Sequence, residues 1–236
     1  GADVTAANRY GVTPLWLACL NGSATAIDLL LKAGANANAV LPGGETLLMT
    51  AARTGKPDAV NVLLRHGASV NAKEGWRGQT ALMWAAAEGH AAVIEALIAR
   101  GADVHARSNG GFTALLFAAR EGQIAASKAL LAAGANLNDA IPSTTPIDEP
   151  APEETTPGPP EAGLNVFLLA AANAHFELAA WLLDQGAEPN AAPRGWTALH
   201  QISWVRKMGV AGSNDPAPPG SGNMTSLDFV RKLVAK

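Results

Sequence analysis

Six side chains of this chain have the chemistry of a nucleophile, a proton carrier or a metal ligand at neutral pH: His66, His90, His105, His175, His200 and Cys19. Their setting argues against all three roles. No H-E-x-x-H pair, G-x-S-x-G elbow or phosphate-cradling glycine loop is present, and the "GSGN" run ending at Asn223 lacks the strand-to-helix context such a loop needs. One cysteine cannot form an intrachain disulfide or a multi-cysteine metal site. Cys19 sits where a small buried residue is required, with no base nearby in the pattern to activate it. The histidines fall at repeating positions, the ends of helices or of the loops that join the units, where a capping or loop role is the ordinary one. The reading is of a protein that is not an enzyme and needs no cofactor.

The elements that carry these residues explain their placement. Gly-Ala pairs recur at Gly34-Ala35, Gly67-Ala68, Gly101-Ala102, Gly134-Ala135 and Gly186-Ala187, at intervals of 33, 34, 33 and 52 residues. The 52 is one period of 33 plus an insertion of 19. Threonines at 13, 46, 80, 113 and 197, with Asn165 between the last two, open the first segment of each period. Thr80 can cap a helix whose Leu82, Ala85 and Ala86 share one face, and Glu88-Gly89-His90 ends it after about two turns. Val93, Ile94, Leu97 and Ile98 form a second apolar stripe that Gly101 terminates as a left-handed cap. Helices this short are marginal alone. Alanine pairs at 51–52, 85–86, 118–119 and 170–171 let neighbours approach, so stability comes from stacking one unit on the next.

The runs "TPLWLACLNG" and "LLLKAGANANA" resemble the ankyrin repeat, whose pattern is T-P-L-H, an alanine pair, G-H and G-A-D-V-N. The resemblance covers almost the whole chain, and its alanine richness is similar to arrays from GC-rich bacteria. It implies an all-α repeat solenoid of about six stacked helix-turn-helix units with β-hairpin fingers, and a concave groove lined by fingers and inner helices. The expected divisions are a repeat tail at 1–12 and repeats at 13–45, 46–79, 80–112 and 113–138. An acidic, Pro-rich insertion at 139–163 follows, then repeats at 164–196 and 197–236, the last interrupted at 207–223. Only His200 keeps the motif histidine; Trp16, Met49, Met83, Leu116 and Leu168 stand elsewhere, so packing is expected to replace its hydrogen bond. Ile202 and Ser203 replace the alanine pair in the last unit.

The ankyrin pattern leaves finger tips and the outward side of each inner helix free of packing duty. Those positions hold Tyr10, Arg53, Trp76, Arg77, Gln79, Trp84, Phe112, Phe117, Arg120 and Trp196, the expected partner-binding residues. Arg9, Val12, Leu17, Leu20, Glu45, Thr50, Leu164, Leu169, Arg194, Gln201 and Trp204 complete the set, which takes in seven of the chain's twelve aromatic residues. Aromatics with arginine on a rigid surface match the composition of binding hot spots. The expected function is therefore a non-catalytic protein-protein interaction module. Alternatives are a spacer within a larger polypeptide, small-molecule binding by aromatic stacking, or aromatics that merely pack on one another. Trp16, Phe167, Phe176 and Trp181 are expected in the core.

Formal net charge is −3, and without a basic stripe nucleic acid is not an expected partner. No apolar run approaches a membrane span, a monomer is expected, and compartment is left open. The 139–163 insertion holds seven prolines, six acids and no base, which leaves the rest of the chain at +3. It reads as an extended hydrated arm able to lie across Arg53, Arg77, Arg107 and Arg120. The ends read as those of a domain cut from a longer polypeptide, since neither looks like a finished cap.

Overall fold

The computed structural model describes residues 2–142, 162–205 and 223–236. The acidic insertion beyond Pro142, the second insertion short of Asn223, and the side chains of Arg194 and Trp204 lie outside the described residues. Among the described residues five helix pairs and two further helices follow one another: α1 (Pro14–Leu20) with α2 (Ala24–Lys32), α3 (Leu47–Arg53) with α4 (Pro57–Arg65), and α5 (Ala81–Ala87) with α6 (Ala91–Ile98). Then come α7 (Ala114–Arg120) with α8 (Ile124–Ala132), α9 (Val166–Ala172) with α10 (Phe176–Asp184), and α11 (Ala198–Val205) before α12 (Ser226–Val234). The first members form one row, α1 to α11, each packed on the next; α2, α4, α6 and α8 form a second row behind it, and α12 packs on α10.

Each recurrent sequence signal has a local cause. The backbone N–H groups of Trp16, Met49, Met83 and Leu116 donate to the side chains of Thr13, Thr46, Thr80 and Thr113, and Leu168 N–H donates to Asn165. At the other end of the pair, the glycine takes a left-handed φ while the following alanine N–H bonds back to a leucine carbonyl, as in Ala102 to Leu97 at 3.0 Å. That six-residue closure is the Schellman motif, and it is why Gly-Ala marks the period. Packing does not wholly replace the motif histidine: in the second and third units the methionine sulfur accepts from the cap's own backbone, Thr46 N–H to Met49 and Thr80 N–H to Met83, both at 3.5 Å. His200 takes that role in the last unit, its Nδ1 accepting from Thr197 N–H at 3.3 Å and lying 2.8 Å from the Thr197 hydroxyl.

Units are also tied through their turns. His90 Nε2 donates to the Arg53 carbonyl (3.0 Å), Gln123 Nε2 to Ala87 (3.2 Å) and His175 Nε2 to Arg120 (2.8 Å), always one unit back. The residue beneath each ring or amide is glycine because a side chain there would collide with it. Where the unit following belongs to the interrupted repeat, the turn carries Ala174 instead, still at a φ of 62°. Asn38 and Asn71 make a second ladder, each donating to the glycine carbonyl of the next unit and accepting a backbone N–H from it.

The expected β-hairpin fingers are reduced to tight turns. Among the described residues there is no strand longer than an isolated bridge, at Val40–Thr46 and Ala140–Asn165. The turns close within five or six residues, with Asn8 N–H on Val12, Leu41 N–H on Glu45, Glu74 N–H on Gln79 and Ser108 N–H on Phe112. So short a loop leaves room for one pair and no ladder. The fourth turn survives the acidic insertion, since Ile141 N–H donates to Leu164 and Gly163 N–H returns to Ile141.

Phe167 and Phe176 lie in the core, as their positions predict, and pack with Phe229 of α12. Trp16 and Trp181 are half-buried against that core. In α11, Ile202 occupies the alanine site and is buried, Ser203 is turned outward, and both amide atoms of buried Gln201 lack a partner among the described residues.

Candidate interaction surface

The finger turns and the outward side of the inner helices carry four arginine–aromatic stacks. Arg9 lies 4.7 Å from the Tyr10 ring centre, Arg77 4.6 Å from Trp76, and Arg53 5.2 Å from Trp84. Arg120 lies 5.2 Å from Phe117 and 5.4 Å from Phe112, whose rings are 5.2 Å apart. Arg53, on α3, thus covers a tryptophan on α5, so this contact joins two units. Trp196 sits 6.0 Å edge-on from His200.

Exposure divides the predicted residues. Trp76 is 76% exposed and Tyr10 64%, and Arg53 and Arg77 are also exposed. Gln79, Trp84, Phe112, Arg120 and Trp196 are half-buried. Phe117 corrects the expectation: only 6% of it is exposed, because Phe112 and Arg120 close over it, so it forms the floor of the surface. Thr50, Leu164, Leu169 and Gln201, expected on the open face, are buried as well. For Thr50 the cause is local, its hydroxyl donating to Glu45 at 2.6 Å. Arg107 does not offer itself across the fingers as expected. It donates to the carbonyls of Gly111 and Ala140 and pairs with Asp139 at 2.8 Å, pinning the third turn to the fourth.

The sequence reading missed the residue that organises the second turn. Glu74 is 8% exposed, and its carboxylate accepts from Trp76 N–H and Arg77 N–H at 2.7 Å and from Gln79 N–H at 3.0 Å. Desolvation pushes this carboxyl up, but the three N–H groups and the Arg77 charge outweigh it and hold it below its ordinary range. From the other side, Asn109 donates to the Trp76 carbonyl at 3.0 Å through its amide and to the Arg77 carbonyl at 2.8 Å through its backbone. Every backbone polar group of Trp76 and Arg77 is thereby fixed, and the indole stands out from a rigid base. The same register holds Asn8, whose side chain accepts from Tyr10 and Val12, and Ser108, whose hydroxyl accepts from Phe112.

A family model described as ankyrin repeats (3 copies) matches residues 1–74 and again 71–141, and one described as ankyrin repeats (many copies) matches 167–202. The chain belongs to the ankyrin repeat family. No curated protein matches it. Ankyrin repeats are generally protein–protein interaction modules and typically have no catalytic activity of their own. In this ankyrin array Cys19, His66, His90 and His175 are engaged in structure. Burial pushes the Cys19 thiol up to about 12, so it is not a thiolate at neutral pH. His66 bonds Asp28 at 2.9 Å, and His90 and His175 hold carbonyls of the preceding unit. Among the described residues no helix is long and apolar enough to cross a membrane, and no group of three His, Cys, Asp or Glu could hold a metal ion.

Proposed function

We propose that this array binds a protein partner on the face formed by its finger turns and inner helices, in the groove the ankyrin pattern implies. Trp76 and Trp84 are the anchors and Arg53, Arg77 and Arg120 the polar contacts. Phe112 and Phe117 shape the floor, and Tyr10, Gln79 and Trp196 extend the surface to either side. The observation that carries this reading is Trp76: a large ring 76% exposed on a backbone held by Glu74 and Asn109. An exposed indole gains nothing for the fold, while one fixed in place loses little entropy when a partner covers it. The solenoid adds to this, since the helices behind the face are already ordered.

The test is affinity capture from source-cell extract, comparing the unaltered protein with Trp76→Ala plus Trp84→Ala and with Leu29→Ala on the exposed outer helix α2. Loss of a specific partner with the double variant and retention with Leu29→Ala supports the reading. Equal capture by all three defeats it, and circular dichroism on each excludes unfolding as the cause.

A further inference from the structure

We infer that the docking face takes an extended acidic peptide segment, with carboxylates set to meet successive stacked arginines. This rests on the proposed face being the interaction surface and adds the chemistry of what occupies it. Three observations carry it.

First, three of the four guanidinium groups are held without an ion pair. Among the described residues Arg9, Arg53 and Arg77 have no carboxylate at ion-pair distance, and only Arg120 has one, Glu121 at 3.0 Å. Second, the acids nearby are already engaged. Glu45 accepts the Thr50 hydroxyl and Glu74 accepts three backbone N–H groups, and although the Arg77 charge acts on Glu74, neither acid forms an ion pair with a stacked arginine. Third, the rings hold each guanidinium at the face, with its carbon between 4.6 and 5.4 Å from a ring centre, and a guanidinium grips a carboxylate in two parallel bonds. A stacked guanidinium has also lost much of its rotamer freedom before a partner arrives.

The solenoid sets the spacing. Arg53 is on α3 and Arg120 on α7, with α5 packed between them. Packed helices lie about 8–10 Å apart, which puts the two arginines about 16–20 Å from one another. An extended chain advances about 3.3 Å per residue, so carboxylates about five or six residues apart reach both. The segment between them crosses Trp84 and the Phe112 edge, which favours apolar or proline residues there.

The experiment is selection from a displayed library of random peptides about twelve residues long on the intact protein, read by sequencing. Support is enrichment of Asp or Glu pairs about five or six residues apart, with affinity that falls as salt is raised. The selected peptides should bind Arg53→Gln about tenfold more weakly, the scale of one charge-assisted contact, and Arg53→Lys at an intermediate level. Arg53 is exposed and its backbone carbonyl keeps the His90 bond in both exchanges, and circular dichroism checks that losing the Trp84 contact leaves the fold intact. Enrichment of peptides without acids that still fail on Trp76→Ala overturns the acidic chemistry and leaves the docking face standing. No enrichment over an unrelated control protein, with or without Asp148, Glu149, Glu153 and Glu154 changed to amides, overturns the inference. Enrichment of acidic peptides only after that change supports the acidic chemistry and makes the chain's own insertion a competitor for the face.

Discussion

Coupling between units can be measured at one atom. Gly122 has a φ of +71°, and a Cβ there would stand 2.4 Å from Nδ1 of His175 and 2.7 Å from Cε1 and Cγ. Gly134 has a φ of +91° with nothing within 4 Å of its would-be Cβ. Both substitutions to alanine force a side chain into the left-handed region, at about 1–2 kcal/mol. Only Gly122→Ala also strikes a neighbour. The imidazole is buried and rigid, and it cannot retreat without leaving the Arg120 carbonyl 2.8 Å away. Losing that bond costs about 0.5–1.5 kcal/mol and overpacking about 1–3 kcal/mol. Gly122→Ala should therefore destabilise by about 3–6 kcal/mol against about 1–2 for Gly134→Ala. Urea unfolding followed by circular dichroism reads the difference as a lower midpoint at unchanged slope. In a His175→Ala background the two glycine exchanges should cost the same. Equal costs in the native background refute the turn ladder as a stabilising contact.

Further outcomes follow from the same contacts. Glu74→Gln removes the carboxylate from three N–H groups, so amide exchange at Trp76, Arg77 and Gln79 should quicken by about tenfold to a hundredfold, the range for bonds to a charged acceptor, while core amides at Val93 and Leu97 keep their protection. Unchanged exchange at those three positions contradicts the rigid turn. His175 is held below its ordinary pKa by burial, against the Arg120 carbonyl bond and the Glu121 charge, so the unfolded chain binds more protons than the folded one. Its contribution is intact above its unfolded pKa of about 6.5 and is lost as pH falls below it. The urea midpoint should be lower at about pH 5.5 than at about pH 7.5, and His175→Gln, which copies Gln123, should narrow that gap; a gap of the same size makes another group responsible.

Much of the fold was legible because its signals are local. A threonine caps three residues on, and a glycine with its alanine closes a helix over six, so both motifs are written in consecutive sequence. The surface was legible only in part, because exposure depends on what lies across the stack. Phe117 and Trp84 occupy the same helical position in adjacent units, yet Phe117 is sealed by Phe112 and Arg120 while Trp84 is half-open under Arg53. Position alone does not distinguish them. Glu74 escaped notice because an acid in a polar turn ordinarily reads as a solvated charge. The signal that could have found it is the glycine pair in "EGWRGQ", which folds the chain back so that one carboxylate reaches three N–H groups. Arg107 reads as a free finger cation for the same reason, since its partner Asp139 lies one unit away.

Site-specific photo-crosslinking tests the central claim most directly. A benzophenone amino acid is placed at Trp76, at Gln79 and, as control, at exposed Leu29 of α2, and each protein is irradiated in source-cell extract. The account predicts a discrete adduct of one partner from Trp76 and Gln79 and none from Leu29. Adducts from Leu29 with none from the finger turn would place binding on the outer helices and contradict it.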